Sequence, residues 1–426
     1  MPFNTVAWAH RANIYEVNVR QYTKEGTLAS FAAHLPRLAD MGVTVLWFMP
    51  ITPISLKGRL GTLGSYYACS DYTAINSEFG TEQDFMAVVH AAHELGMKVI
   101  IDWVANHTGW DHIWTKTNPA YYLKDSTTNT FKIASGMDDI IELDYTNDDM
   151  RNAMIDAMKF WVDECDIDGY RCDLASWVEV DFWLQARAEL EKTKTLFWLA
   201  ESDPLEKPTY YQAFDACYTW KWMHTTKEFY EGKLTLSFLI DSVLKKYDAA
   251  CGSEKIPLWF TTNHDENSWN GTEYEKYGDM AKALAVFSFT WNGMPMIYSG
   301  QELPNLKRLK FFDKDVIAWD GKYALQEFYK TLITLKKNNS ALRTADANVV
   351  TFLLATDNPN VIAYLRKNGN SEVLVLLNMS KQTIRFEIKD QHVTGKYKSI
   401  FGKAENDFTT EKFFEMQPWE YLIYEK

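Results

Sequence analysis

The sequence predicts an α/β protein built on a (β/α)8 (TIM) barrel, with a short subdomain inserted after the third strand and a C-terminal all-β sandwich. Three observations lead there. Apolar strand-like runs alternate with amphipathic helical stretches eight times in about 335 residues, the pattern of repeated β/α units. The alternation pauses once, from Thr108 to Tyr145, in a stretch rich in Thr, Asn, Asp and aromatics with little periodicity. After about Ser340 the helical period stops, and short strands separated by turn residues replace it. These breaks divide the chain into a barrel (residues 1–107 and 146–338), an insert (108–145) and a sandwich (339–426).

Each unit has its own signal. Asn13–Val19, Val43–Met49 and Lys98–Val104 read as the first three strands. Leu28–Met41 and Glu82–Leu95 carry helical periodicity between them, and Gly42 and Gly96 stand where left-handed caps close helices. Pro36 weakens the first of these helices, because an interior proline removes a hydrogen bond and clashes with the preceding turn. After the insert come helix Asp149–Cys165, strand Gly169–Asp173, a helix near Val180–Lys192 and strand Leu196–Glu201. Phe214–Tyr218 is a faint sixth strand. Strand Leu258–Asn263, helix Gly278–Trp291, strand Met296–Ser299 and helix Tyr323–Lys337 finish the count. The tail supplies strands at Val349–Leu354, Val361–Leu365, Val373–Asn378, Ile384–Ile388 and Tyr421–Tyr424.

Composition narrows the function. A net charge of −13 argues against nucleic acid and anionic membrane as partners, since both call for a basic surface. No apolar run is long enough to span a bilayer. The N-terminus lacks a basic region followed by an apolar stretch, so the expected location is the cytoplasm, or outside the cell as a mature form whose signal has been removed. Five scattered cysteines form no CxxC pair and read as reduced core thiols. Aromatic residues make up 15% of the chain, enough both to fill a core and to offer flat faces to sugar rings.

In a parallel barrel the chemistry sits at the C-terminal ends of the strands. Strand three ends in Asp102 and Val104-Ala105-Asn106-His107, strand four in Arg171 and Asp173, strand five in Glu201, and strand seven in Asn263-His264-Asp265. Two carboxylates flanking a scissile bond are what glycoside hydrolysis requires. Asp173 and Glu201 lie one β/α unit apart, hence on adjacent strands. That placement suits a close pair of roughly 5 Å, the separation of a retaining enzyme. Glu201 follows the apolar run Leu196–Ala200, and burial raises a carboxyl pKa as an acid catalyst needs. A metal-dependent hydrolase using His107, His264, Asp102 and Asp265 as ligands fits less well. No HxH pair follows the first strand, and Arg171 would sit beside the cation.

These segments also carry a resemblance. Asp102-Trp103-Val104-Ala105-Asn106-His107 is similar to the DxVxNH segment of the α-amylase family, glycoside hydrolase family 13. Gly169-Tyr170-Arg171-Cys172-Asp173 resembles its GxRxD segment, and Thr262-Asn263-His264-Asp265 its NHD segment. Gly293–Glu302 looks like the segment closing the eighth strand; Tyr67–Tyr72 and Ile75–Thr81 look like the second-loop pattern. The landmarks occur in the family's order from Ile14 to about Lys337. The resemblance implies Asp173 as nucleophile, Glu201 as acid then base, and Asp265 as stabiliser of the transition state. It implies that Arg171 orients Asp173 and keeps it ionised, that His107 and His264 bind the sugar, and that Tyr67 stacks beneath it. Asp102, Trp103 and Trp177 are counted among the substrate contacts.

One departure matters. Where many amylases carry a Lys-His pair after the nucleophile, this chain has Ala175-Ser176-Trp177, which puts acceptor contacts and the usual calcium site in doubt. Asn106 matches a family calcium ligand, and Asp139 or Asp144 could join it, oxygen donors that suit calcium; no cofactor is needed for the chemistry itself. Trp110, Trp114, Trp177, Trp220 and Trp269 follow strand ends and could be sugar platforms or packing. The expected function is hydrolysis of α-1,4 bonds in starch, glycogen or maltooligosaccharides through a covalent intermediate. The alternatives are transfer of a glucosyl or maltosyl unit to another sugar, and a catalytically silent binding protein. Such silent descendants lose the carboxylates that this chain keeps.

Overall fold

Successive side chains of a strand point to opposite faces, so eight short strands decide what enters the lumen of a barrel and what faces its helices. In the computed structural model, which describes residues 3–402, 404–410 and 412–426, the eight strands are Ile14–Val17, Val45–Phe48, Lys98–Trp103, Gly169–Cys172, Phe197–Ala200, Ala216–Tyr218, Ile256–Trp259 and Met294–Tyr298. They pair in parallel and in chain order, and the eighth closes on the first. Ile14, Val45, Trp47, Ile100, Phe197, Leu199, Ile256, Leu258 and Met294 fill the lumen. Glu16, Asp102, Arg171 and Tyr218 alternate in phase with these residues, so their polar ends gather at the mouth.

Trp103 is out of phase. It packs in the shell between strands and helices, stacked on Tyr72 at 5.1 Å and edge-on to Tyr170 at 5.7 Å. The expectation that it touches substrate is therefore corrected: its neighbour Asp102 took the inward face.

Several element boundaries shift for local reasons. The helix expected over Leu28–Met41 is two, Leu28–Ala32 and Leu35–Met41, with Pro36 in the first turn of the second. A proline there costs nothing, because that N–H has no helical partner anyway. Strand seven ends at Trp259, so Asn263-His264-Asp265 stands on the loop beyond it rather than in the strand. Between strands six and seven the chain forms helices Trp220–Tyr230 and Leu236–Leu239, the latter running on through Cys251, a stretch to which the sequence reading assigned no helix.

The insert is held by one small ladder, His107–Gly109 against Ile140–Glu142, with Leu143 N–H donating to Asn106 O at 3.1 Å. The C-terminal domain is a six-stranded antiparallel sheet facing a two-stranded one, Ile384–Glu387 with Phe413–Met416. Leu365, Leu374 and Leu376 from the first meet Phe386, Phe414 and Met416 from the second. The strands Lys396–Ser399, Glu405–Asp407 and Phe413–Met416 escaped the sequence reading; all are short, and the first two are rich in charge. The sandwich is fastened to the barrel through buried polar and aromatic contacts. Lys336, on helix Gln326–Asn338, donates to Gly293 O, Leu342 O and Thr344 Oγ1, and Trp291 meets Tyr364 edge-on at 4.8 Å. No helix among the described residues is long and apolar enough to cross a membrane.

Candidate active site

Arg171 organises the mouth of the barrel. It is fully buried, and one terminal nitrogen donates to Asp102 (2.9 and 3.2 Å) and to Asp173 Oδ1 (2.8 Å). The other terminal nitrogen lies 3.0 Å from Glu201 Oε2, and Nε donates to Tyr218 OH at 3.2 Å. One guanidinium thus spans the third, fourth and fifth strands and brings Asp173 and Glu201 to adjacent corners of its planar fork. Leu174, next in chain, adopts a left-handed backbone (φ +40°) that aims its N–H at Glu201 Oε2, 2.8 Å away. Strain of that kind in a branched residue persists only where surrounding contacts hold it.

A second chain of contacts runs through His264. Its Nδ1 lies 2.5 Å from Glu16 Oε1; its Nε2 lies 2.7 Å from Tyr67 OH and 3.3 Å from Asp265 Oδ2. Burial alone would discharge this imidazole, but Asp265 and Glu16 outweigh burial and lift its pKa to about 9. Tyr67 also donates to Asp102 Oδ2 at 3.1 Å, which joins the two chains of contacts. Two cations, Arg171 and His264, therefore serve five carboxylates: Glu16, Asp102, Asp173, Glu201 and Asp265. Burial above all raises the pKa of Glu16, Asp102, Asp173 and Asp265 above the ordinary carboxylate value. Burial, joined by the charge of Glu201, pushes Asp173 well up, and burial lifts Asp102 to about 6 against the pull of Arg171.

His107 completes the floor. Asn106 Nδ2 donates to its Nδ1 at 3.2 Å, which leaves the Nε2 hydrogen free; that atom is buried and has no protein partner. Burial holds this imidazole down at about 3, so it stays neutral. An orphaned buried donor costs about 1–3 kcal/mol unless something binds it. The cleft above holds about 510 Å³ and is lined by Tyr67, His107, Asp173, Glu201, Asp265 and Trp177 among others.

The three residues named as possible cation ligands each have contacts of their own. Asn106 spends its amide on His107; Asp144 accepts from the N–H and hydroxyl of Thr146; Asp139 faces the cleft. Among the described residues no group of three or more His, Cys, Asp or Glu side chains is placed to hold a metal ion.

Comparison with known proteins meets this geometry on the same residues. The family described as alpha amylase, catalytic domain matches residues 15–131 and 117–345, and the maltogenic amylase C-terminal domain matches 350–423. The chain belongs to the α-amylase family. Among solved structures, a noncanonic maltogenic α-amylase from Thermotoga neapolitana superposes with a TM-score of 0.88 at 30% identity, covering 98% of each chain. An α-amylase from Lactobacillus plantarum gives 0.87 at 29% identity, over 98% of this chain and 99% of that one. A cyclomaltodextrinase from Geobacillus thermopakistaniensis is 26% identical over 84% of this chain, which spans 63% of that relative.

Within this α-amylase-family glycosidase, Asp102, Asp173, Glu201, Asp265, Tyr67, His107, Arg171 and His264 converge on one volume, and Trp177 stands at its rim, 45% exposed. The other tryptophans divide. Trp114 packs on Tyr72, His112 and Tyr121, Trp220 stacks on Tyr218 and His224, and Trp110 donates to Asp138 O. Trp269 is 51% exposed on the cleft wall. Sequence reasoning missed Glu16 and Tyr218. A lone carboxylate in the apolar run Ile14-Tyr15-Glu16-Val17 was the signal for the first; nothing in the sequence marked the second.

Proposed function

We propose that this enzyme cleaves α-1,4-glucosidic bonds in starch, glycogen or maltooligosaccharides by a two-step retaining mechanism. The observation that carries the reading is the Arg171 guanidinium, with Asp173 and Glu201 on its two terminal nitrogens. In the first step Asp173 attacks the anomeric carbon. Glu201 gives its proton to the departing glycosidic oxygen, leaving a glycosyl ester on Asp173. In the second, Glu201 takes a proton from water as that water attacks the same carbon, and Asp173 is released as carboxylate. Arg171 favours the ionised form of Asp173 against burial. Asp265 and the imidazolium of His264 hold sugar hydroxyls, the Asp265 carboxylate opposes the oxocarbenium charge, His107 donates from Nε2, and Tyr67 stacks beneath the ring.

Glu201 is placed for the donor's role: it stands beside Asp173 on the same guanidinium and lines the cleft. The test is the anomer first released from maltotetraose, followed by NMR: α is expected, and β would overturn the mechanism. Transfer to a sugar is a second reading, favoured by the exposed face of Trp177 beside the nucleophile, which offers an acceptor ring an apolar bed. Chromatography of the same incubation separates the two, since mainly products longer than the substrate mean transfer.

A further inference from the structure

At the end of the barrel away from the catalytic cleft lies a second hollow, and its charge is reversed. It measures about 370 Å³ and is lined by Trp8, His10, Arg11, Lys98, Lys337 and Arg343, with no Asp or Glu among the lining residues. The cleft is the opposite: Asp138, Asp139, Asp173, Glu201 and Asp265 line it, without a Lys or Arg. In a chain with 57 acidic and 44 basic residues, composition alone does not produce a hollow whose only fixed charges are positive. Four segments meet to form it. They are the turn Ala7–Arg11 ahead of strand one, the first residue of strand three, the end of helix Gln326–Asn338 and the connector to the sandwich.

Only part of this charge is answered within the protein. Lys98 Nζ lies 3.0 Å from Asp168 Oδ1, and Arg343 Nε lies 2.9 Å from Asp346 Oδ2. Asp168 is itself shared, with His93 at 2.6 Å and Lys194 at 3.3 Å. Among the described residues Arg11 and Lys337 have no carboxylate partner; one Arg11 nitrogen donates to Lys337 O at 2.9 Å. That bond also covers a carbonyl at the helix end, where the helix dipole would otherwise oppose an anion. His10 donates from Nδ1 to Thr344 O at 2.7 Å, which leaves its Nε2 unengaged. Trp8 packs on Phe197 of the lumen at 5.3 Å and gives the hollow a flat apolar wall.

We propose that this hollow binds a small organic phosphate, its phosphate between Arg11 and Lys337 and its organic part against Trp8. A phosphate accepts from several donors at once, and an arginine fork beside a lysine point charge matches it. The hollow is larger than a bare phosphate needs and falls in the range of small-molecule pockets, about 300–1,000 Å³. A neutral sugar would leave the two unpaired cations unanswered. A phosphorylated molecule is repelled by the carboxylates of the cleft and attracted here, so the two ends of the barrel select ligands of different charge.

Calorimetry of the full chain at low ionic strength tests this with inorganic phosphate, adenosine monophosphate and glucose 6-phosphate, and with adenosine and glucose as uncharged controls. At least one ester is expected to bind at one site per chain, about tenfold more tightly than inorganic phosphate, and the uncharged controls not at all. Which ester prevails tells a nucleotide from a sugar phosphate. Arg11→Gln with Lys337→Gln should weaken the ester by about tenfold or more, whereas Arg11→Lys with Lys337→Arg should keep most of the affinity. Trp8→Leu should bring the ester down toward inorganic phosphate. Lys116 is the control, an exposed lysine in a hollow that also holds Asp71, Glu78 and Asp111, and Lys116→Gln should change nothing. The site is overturned by any of three results: no heat with either ester, binding that survives Arg11→Gln with Lys337→Gln, or an equal loss in Lys116→Gln.

Discussion

Two buried arginines sit at opposite ends of the same barrel and are used in opposite ways. At the base, Arg187 donates to Asp215 (3.0 Å), Glu191 (2.8 Å) and Ala213 O (2.8 Å). Asp215 in turn accepts from Trp198 N–H and Thr5 Oγ1, so neither Arg187 nor Asp215 is left with an unpartnered polar atom. At the mouth, Arg171 faces three carboxylates at once, and His107 Nε2 has none. The Arg187 pair is electrostatically finished. The mouth is short of positive charge and leaves the buried His107 Nε2 without an acceptor, and what it lacks is what a sugar passing through a cationic transition state would bring. Buried charge in this molecule is neutralised for stability at one end and left over for chemistry at the other.

Three changes would break or sharpen that contrast. The largest expected effect is Glu201→Gln on an unactivated oligosaccharide, where loss of the proton donor should lower kcat by about 10³-fold. With a dinitrophenyl α-maltoside the leaving group needs no proton, so a stoichiometric burst of dinitrophenol should precede slow turnover. A stopped-flow trace without the burst would mean that Glu201 is not the acid. Next comes Arg187→Met, which strands Asp215 and Glu191. Urea unfolding should show a loss of about 3 kcal/mol, with kcat per folded molecule unchanged. A fall in kcat would show that the two ends are coupled.

The smallest effect has the opposite sign. Asp173→Asn removes one of the crowded carboxylates and should raise the unfolding free energy by about 1 kcal/mol at pH 7, the gain expected when a functional site is relieved of its strain. The pH dependence follows from the raised pKa of Asp173. Below about pH 4 the carboxyl is protonated both folded and unfolded, and the substitution changes little. As pH rises above that, the unfolded chain releases the proton before the folded one does, so the cost of the native charge grows and the gain of the variant with it. A gain that shrinks toward neutral pH would contradict the crowding described here.

The barrel was readable in the sequence because its signal is periodic and repeated, and Asp173, Glu201 and Asp265 because each follows an apolar strand. Trp103 was misplaced for the same reason: adjacent residues in a motif share a position in the sequence but not a face of the strand. Asn106 matched a metal ligand by type; in the fold its amide nitrogen meets His107 Nδ1, a contact that residue type alone does not reveal. The aromatic wall of the cleft was half visible. Trp269 stood out as a tryptophan after a strand end, but its partners Phe311 and Phe312 lie on the long loop after the eighth strand, about 40 residues further on. Only closure of the barrel sets them side by side.

The attachment of the sandwich has a consequence for modular engineering. The three carbonyl and hydroxyl oxygens that hold Lys336 come from both sides of the junction: Gly293 just ahead of the eighth strand, Leu342 and Thr344 from the connector. The Thr290 hydroxyl meets Tyr364 OH across the same seam. A chimera that exchanges the C-terminal domain at the connector would leave this lysine with Gly293 alone unless the graft brings its own acceptors. The transferable unit is thus the sandwich together with the last helix of the barrel, and recombination points belong ahead of Gln326 rather than after Asn338.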